Sequence, residues 1–345
     1  MCSVRIHYAL KKYSTVYIRQ MINPNYLLGF IGIVAVGKIY EKWRKSTETD
    51  EQIKTYQLVK DYLINDSSLA KSSKPLLWIH VPHELNARNW LSFNSRMTDE
   101  VNKPYLFLTI KSIVEKCAES FNICLINDDT FGKILPGWTI EMSDIAEPVK
   151  FRMRHLALAR TLYYYGGMVV PPSLLCFDNL HKTYINALSS SGGGAFVGEF
   201  VDRSITADET IYSPNMRLMG CAKSSKTMSD FADMLMLLIS RDYTDQPKFL
   251  GSVSQWWTER INAREAGLVC AKTLGVETPS GPMSVEMLMG STYYSLDKQA
   301  AALYIPEDEL SRRTAFKWFE RQSPEQVLSG HYLVGVYMLS ALASN

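Results

Sequence analysis

The stretch ARTLYYYGGMVVPPSLLCFDNL, Ala159–Leu180, combines a helix end, a Gly-Gly turn and a short apolar strand. Gly166 is a typical stop signal after a helix, because glycine readily adopts the conformation that ends one. The run MVV then resumes a strand, which closes on Pro171, Pro172 and Ser173. Helical spacing continues upstream of the quoted stretch, so the helix is expected to start near Val149. The residues at that spacing are Met153, Leu156, Ala157, Arg160 and Tyr164.

The segments before this stretch alternate between strand and helix patterns. KPLLWIHVP (74–82) is a short apolar run, PYLFLTIKSIVEKCAESF (104–121) is helix-like, and NICLIND (122–128) is a second apolar run. Strand, helix and strand in this order predict the start of a parallel α/β sheet. Further along, SSKTMSDFADMLMLLISRDY (224–243) predicts a helix with a Ser/Thr cap, and HYLVGVYMLSALASN (331–345) predicts an apolar helix packed in the core.

Composition limits the classes of partner. The chain has 345 residues, 46% of them hydrophobic and 21% charged, which predicts a folded protein with a sizeable core. The formal net charge of +2 gives no global field that would attract nucleic acid. The 6 cysteines are scattered without zinc-ligand spacing, which favours reduced thiols and a reducing compartment for the folded domain.

The N-terminal region predicts contact with a membrane. Residues 1–45 hold a basic N-terminus and a candidate membrane anchor, residues 46–73 a polar stalk, and residues 74–345 the α/β domain. The strongly apolar part, Tyr26–Gly37, is shorter than the roughly 20 residues that span a bilayer comfortably. Three structures remain open for it: a single-pass anchor over Met21–Tyr40, a monotopic surface helix, or a core helix. Flanking basic residues favour the two membrane alternatives, with undetermined orientation.

The ordered motifs resemble a known family of glycosyltransferases, named for a sugar-binding region with a DXD motif, and the related capsular polysaccharide synthesis enzymes. Strand 74–82, the segment INDDTFGKILPGW (126–138) and the helix, Gly-Gly turn and strand around Ala159–Leu180 resemble the family's successive motifs. So do YSPNMRLMGCAKSSKTMSDF (212–231), TPSGPMSVEML (278–288) and His331. The resemblance implies a GT-A-like (Rossmann-like) mixed sheet flanked by helices and a nucleotide-sugar ligand. This domain would follow the candidate N-terminal membrane-associating helix.

The departures from the family fall on its functional acids. The positions of the family's helix Asp and Arg are His155 and Leu158 here, and those of its Asp-x-Asp are Pro171 and Ser173. A divalent cation neutralises the donor diphosphate through hard oxygen ligands, which proline cannot provide and serine provides only as a neutral hydroxyl. We therefore expect no metal at this position. Mn or Mg would bind only if acids elsewhere supplied the ligands, the candidates being Asp128, Asp129, Asp202, Asp208 and Glu209.

Several other residues are candidates for donor binding. Adjacent Asp128 and Asp129 would converge only in a turn, and a strand-end turn with a helix cap is the simpler interpretation. Arginines on the helix before the Gly-Gly turn would bind a diphosphate without metal, or serve solubility. No catalytic residue is assigned. The donor-binding candidates are Tyr165, Gly166, Gly167, Arg154, Arg160, Asp128, Asp129 and His331.

Two functions follow from these patterns. The first is a degenerate glycosyltransferase-like pseudoenzyme, tethered to a membrane as a structural or binding component of a larger assembly such as a virus particle. The second is an active glycosyltransferase that moves a hexose from a nucleotide sugar to a glycan by a metal-independent or rewired mechanism. The retained motifs fit both, and the replaced acids favour the pseudoenzyme.

Overall fold

The computed structural model describes residues 74–82, 103–202, 211–241 and 245–343. The candidate anchor and stalk, residues 1–73, lie outside this part of the chain, so the membrane helix and the domain boundaries stay predictions. No helix within the described ranges is long and apolar enough to cross a bilayer.

A six-stranded mixed sheet forms the centre of the described residues. Its strands are β1 (Leu76–His80), β2 (Asn122–Ile126), β3 (Gly167–Val170), β5 (Ala195–Asp202), β6 (Ile211–Cys221) and β7 (Ala266–Val269). They lie in the order β2-β1-β3-β6-β5-β7. β1 runs parallel to β2 and to β3, whereas β6 runs antiparallel to β3 and β5. The carboxyl ends of β1, β2 and β3 therefore meet at one edge of the sheet, which we call the carboxyl edge.

Short strands and helices complete the fold. Two small ladders pair β4 (Leu174–Cys176) with β10 (Ala302–Tyr304), and β8 (Glu277–Thr278) with β9 (Gly281–Pro282). The helices are α1 (Tyr105–Cys117), α2 (Phe131–Ile134), α3 (Val149–Tyr165), α4 (His181–Ser189), α5 (Lys226–Ser240), α6 (Gln246–Asn262), α7 (Val285–Met289), α8 (Glu307–Arg312), α9 (Pro324–Ser329) and α10 (Leu333–Ala343).

Alternating side chains divide the core between the two faces of the sheet, because successive residues of a strand point to opposite faces. In β1, Trp78 packs with buried residues of α3, α5 and α6. Its neighbours Leu77 and Ile79 pack on the other face, with α1 and α4. Helices therefore cover both faces of the sheet. A third cluster joins the start of α1 to α7, α8, α9 and α10.

The sequence patterns located these elements closely. The two parallel strands around helix 104–121, the helix stop at Gly166 and the final apolar helix are confirmed. The Ser/Thr cap is also confirmed, since Ser225 accepts a hydrogen bond from the backbone N–H of Met228 at the start of α5. The predicted mixed sheet flanked by helices is thus present.

Candidate functional site

The predicted candidate Asp128 meets a histidine at the carboxyl edge, because β1 and β2 are parallel neighbours. His80 is the last residue of β1, and Asp128 follows the end of β2. Nε2 of His80 donates to Oδ1 of Asp128 at 2.9 Å. The imidazole also stacks on the ring of Phe131, with centroids 5.2 Å apart, so its position is fixed on two sides.

Arg154 of α3 completes this group from the opposite side. Its Nε lies 2.9 Å from Oδ1 of Asp128 and its Nη2 lies 2.8 Å from Oδ2, which is a two-point pairing of guanidinium and carboxylate. A weaker contact of 3.3 Å joins Nη1 to Oε1 of the exposed Glu147. His80 and Arg154 are both 8% exposed. We call His80, Asp128 and Arg154 the edge triad.

The electrostatics of the edge triad keep Asp128 ionised. Burial by itself would raise the pKa of this carboxyl, but hydrogen bonds from His80 and Arg154 outweigh burial and hold the pKa well below its ordinary value. Both carboxylate oxygens are already engaged by these donors. Asp128 therefore forms an ion pair with Arg154, and the guanidinium of Arg154 is engaged in the same pair.

Asp129 lies beside the triad without joining it. Its side chain is exposed, and it belongs to a 3-10 turn, Asp128–Thr130, that Asn127 caps through its side chain. The two aspartates thus differ sharply in environment, and only the first contacts His80 and Arg154.

The turn after β3 is buried rather than open. Pro171, Pro172 and Ser173 are all buried, and Ser173 is 0% exposed. Thr109 of α1 donates its hydroxyl to the carbonyl oxygen of Pro172 at 2.6 Å, and the backbone N–H of Ile305 donates to the carbonyl oxygen of Ser173 at 3.2 Å. The place to which the resemblance assigns the metal-binding acids is therefore enclosed by α1 and the end of β10.

The residues at this turn do not fit a divalent cation. Such a cation needs several accessible oxygen ligands, preferably carboxylates, whereas the turn offers two prolines and one enclosed hydroxyl. Within the described ranges, no group of three or more His, Cys, Asp and Glu side chains is placed to hold a metal. Asp208 and Glu209 lie outside these ranges, and only the backbone of Asp202 lies inside them.

Three other positions of α3 that the sequence analysis singled out, His155, Leu158 and Arg160, are also engaged in packing contacts. Nδ1 of His155 donates to the carbonyl oxygen of Phe151 at 2.8 Å, and burial lowers the pKa of this imidazole to about 4. Leu158 is buried in the core at 5% exposure. Arg160 contacts Sδ of Met236 and the ring of Trp138, on the side of α3 that faces α5.

Tyr165, Gly166 and Gly167 lie at the amino end of β3, away from the edge triad. Gly167 stands beside Leu76, the first residue of β1, with φ of +95°, and a Cβ there would lie 2.1 Å from the carbonyl oxygen of Leu76. Nε1 of Trp78 donates to the carbonyl oxygen of Gly166 at 3.0 Å. Close packing of β3 against β1 thus explains Gly167, whereas Gly166 has φ of +74° and a Cβ there would lie 2.9 Å from the backbone nitrogen of Lys223. The hydroxyl of Tyr165 donates to the carbonyl oxygen of Ile134 at 2.6 Å.

His331 is exposed just before α10, and no contact joins it to the edge triad in the described residues. The structure therefore brings together Arg154 and Asp128 with His80, and leaves the remaining donor-binding candidates apart from them.

Sequence reasoning missed a second charged pair at the carboxyl edge. Arg217 of β6 lies two residues from Met219, which pairs with Val169, so it reaches the carboxyl end of β3. Its guanidinium donates to the carboxylate of Asp308 in α8. The pair lines a cleft of about 310 Å³ between β5, β6, α6 and the segment from β10 to α8. The two residues are 91 positions apart, and no local pattern links them.

Comparisons with known proteins give only distant likenesses. A scan against protein-family models finds no match, and a search among curated proteins finds none. Among solved structures, the PaToxG glycosyltransferase is 12% identical with a TM-score of 0.32, over 70% of this chain and 92% of that one. The galactosyltransferase LgtC, in complex with donor and acceptor sugar analogues, is 10% identical with a TM-score of 0.34, over 77% of this chain and 95% of that one.

Proposed function

We propose that this protein is a glycosyltransferase-like pseudoenzyme that serves as a binding or structural component. The ordered sequence motifs and the mixed sheet with helices on both faces support the glycosyltransferase-like part. One observation carries the loss of metal-dependent transfer: the turn Pro171–Ser173 holds no acid and is buried. A donor diphosphate would find neither a cation nor an accessible ligand for one at this turn.

Neighbouring acids do not compensate in this proposal. A carboxylate that accepts bonds from an arginine and a histidine would have to give them up to bind a cation. Asp128 is in that position, since Arg154 and His80 occupy both of its oxygens. The edge triad then acts as a structural connection between β1, the turn after β2, and α3.

The sequence pattern of the N-terminus supports a membrane location for this component. In this proposal the apolar segment within Met21–Tyr40 anchors the chain, single-pass or monotopic, and residues 46–73 separate the anchor from the α/β domain. The anchored domain would take part in a larger protein assembly, of which a virus particle is one example, and would fold in a reducing compartment.

A second candidate function has one specific observation in its favour. Arg154 and Arg217 both lie at the carboxyl edge, and guanidinium groups neutralise phosphate oxygens without a metal. Metal-independent hexose transfer from a nucleotide sugar would use this positive charge. Both arginines already have carboxylate partners, Asp128 and Asp308, which makes this the weaker candidate.

Thermal unfolding of the full chain with a panel of nucleotide sugars, each with and without Mn²⁺, tests the proposal. A ligand at one hundred times its dissociation constant stabilises a protein by about 2.7 kcal/mol, so specific binding would be visible as a higher unfolding temperature. We expect no shift and no release of nucleoside diphosphate. A glycosyltransferase with an intact DXD motif, measured in parallel, controls for the quality of the donors.

Two positive results would contradict the pseudoenzyme. A shift with one donor that does not need Mn²⁺, is accompanied by release of nucleoside diphosphate and is lost in Arg217→Gln would support the metal-independent alternative. A shift that needs Mn²⁺ would mean that acids elsewhere in the chain hold the cation.

The membrane part is tested separately. After alkaline carbonate extraction of membranes from expressing cells, the full chain should stay in the membrane pellet if Met21–Tyr40 spans the bilayer. Release by carbonate but not by a low-salt wash would indicate a monotopic attachment. Recovery in the first soluble fraction would contradict both forms of the tether.

A further inference from the structure

The outer side of β2, which faces away from β1, has no partner strand in the described part of the chain. The backbone N–H of Asn122 and the carbonyl oxygen of Ile126 bond to residues that flank β1. Alternate residues of a strand direct their peptide groups to the same side, so Cys124 also faces β1. The peptide groups of Ile123 and Leu125 therefore point outward.

β2 lacks the features that usually protect an exposed strand from pairing. Such strands carry a charged side chain, a proline or a bulge. The sequence of β2, NICLI, holds no charge and no proline, and its register with β1 is continuous from Asn122 to Ile126. Leu125 is 58% exposed. A regular, apolar and exposed strand of this kind is a template for a further strand.

The apolar surface extends from β2 to α1. Ile123 and Ile110 of α1 lie at the margin of the same core cluster, so the outer flank of α1 is next to β2. Phe107 and Val114 lie three residues before and four residues after Ile110, which places all three on one side of the helix. They are 63% and 40% exposed. Leu125 points to the same face of the sheet as Ile123, because the two are separated by one residue.

We propose that the outer side of β2 pairs with β2 of a second copy of this chain, in an antiparallel ladder whose two-fold axis passes through Cys124. In this register Ile123 of each copy lies opposite Leu125 of the other, and each of these two pairs exchanges two backbone hydrogen bonds. Any other register leaves outward peptide groups of β2 without a partner in the ladder. The two copies of α1 then lie on the same face of the joined sheet.

A second copy fits this surface better than an unrelated partner does. A two-fold interface requires a surface that is complementary to itself. The outward residues Ile123 and Leu125 are placed symmetrically about Cys124, and both are apolar, so the strand meets no like charge when it pairs with itself. The exposed side chains of Phe107 and Val114 add apolar area beside the ladder. The proposal goes beyond the proposed function and does not depend on whether the protein transfers a sugar.

The ladder has a consequence for Cys124 that chemical cross-linking can detect. Cys124 would face its own copy as a pair without hydrogen bonds, with Cα atoms about 4.5 Å apart, which lies within the span of a disulfide. Burial raises the pKa of this thiol to about 11, so chance collisions between copies should form few disulfides at neutral pH. Copper phenanthroline with dioxygen would trap the pair, as two thiols give two electrons and two protons to dioxygen. Mass spectrometry would identify the joined peptides.

Leu125→Lys tests the interface without touching the core. The lysine would lie beside Ile123 of the second copy, whereas in the single chain this position is exposed, so the variant should unfold near the wild-type temperature. Leu237→Lys is the matched control, because Leu237 is 52% exposed on α5, away from β2. Analytical ultracentrifugation of the full chain in detergent, over a series of protein concentrations, gives the dimer dissociation constant.

We expect the wild type and Leu237→Lys to dimerise alike and to form the Cys124–Cys124 disulfide. Leu125→Lys should raise the dissociation constant about a hundredfold, a factor of about ten for each copy of the site, and should lose the disulfide. A chain that stays monomeric at all concentrations would overturn the proposal. So would a dimer that Leu125→Lys leaves unchanged, or cross-linked chains without the Cys124–Cys124 peptide.

The nucleotide-sugar panel separates this proposal from the pseudoenzyme proposal. Donor binding with release of nucleoside diphosphate would refute the pseudoenzyme and leave the β2 interface standing. A monomeric chain that ignores every donor would refute the β2 interface and leave the pseudoenzyme standing.

Discussion

We expect Asp128→Asn to destabilise the domain by about 3 kcal/mol at pH 7, the lower end of the range for removing one partner of a buried ion pair. The lower end applies because the Asp128 side chain keeps 12% of its exposure. Asparagine preserves the shape of the residue but removes the charge that Arg154 and His80 contact at 2.8–2.9 Å. Glu147 compensates little, since it is 57% exposed and lies 3.3 Å from the guanidinium.

Urea and thermal unfolding of the full chain, followed by tryptophan fluorescence, would measure this effect. A loss of 3 kcal/mol corresponds to a fall of about 5 °C in the unfolding temperature of a domain of about 270 residues, at an unfolding entropy of about 2.1 cal/mol/K per residue. Asp129→Asn is the matched control, because it removes the same charge from the adjacent exposed residue. It should change the stability by less than about 0.5 kcal/mol.

The pH dependence gives a second test with a defined sign. Because the folded-state pKa of Asp128 is lowered, the stabilisation is complete above the unfolded pKa of about 3.9 and is lost as pH falls towards the folded pKa. The difference between wild type and Asp128→Asn should therefore be present at pH 5 and shrink below about pH 4. The reasoning fails if Asp128→Asn costs no more than Asp129→Asn, or if the difference is unchanged at pH 3.

Three further predictions concern glycine, histidine and the turn after β3. Gly167→Ala should lower the free energy of unfolding by more than about 2 kcal/mol, because its Cβ would clash with the backbone at a positive φ. Gly251→Ala should raise it by about 0.5–1 kcal/mol, since a Cβ there meets no other atom. Equal unfolding temperatures of the two variants would contradict this reasoning. Burial holds the pKa of His155 at about 4, so wild-type stability should fall as pH drops from about 6.5 towards 4, and the fall should be absent in His155→Gln. Ser173→Asp should lower the unfolding temperature with or without Mn²⁺, because the side chain is enclosed; stabilisation by Mn²⁺ would refute the argument.

Local patterns were sufficient to predict the elements that position the site. The apolar run around Trp78, the helix stop at Gly166 and the cap at Ser225 depend on nearest neighbours in the sequence, and each is present. That Pro171 and Ser173 follow β3, and that neither is an acid, is equally a fact of the sequence. That these two residues offer no carboxylate ligand for a divalent cation follows from residue type alone.

The grouping of the candidates needed the tertiary structure. Tyr165, Gly166 and Gly167 lie near Pro171 in sequence, yet β3 separates the Gly-Gly pair from the carboxyl edge. Asp128 and Arg154 are 26 positions apart and form the closest charged contact of the triad. The two ends of one strand lie at opposite edges of the sheet, whereas parallel pairing brings the carboxyl ends of different strands to the same edge.

Local periodicity and residue chemistry sufficed to predict the strand, helix and strand at the start of the domain and the helix stop at Gly166, and they show that Pro171 and Ser173 offer no carboxylate. Tertiary packing was needed to show that Asp128 is occupied by His80 and Arg154, that Ser173 is enclosed, and that Arg217 meets Asp308 at a cleft. These contacts depend on sheet register and on packing between distant segments, which local periodicity does not encode.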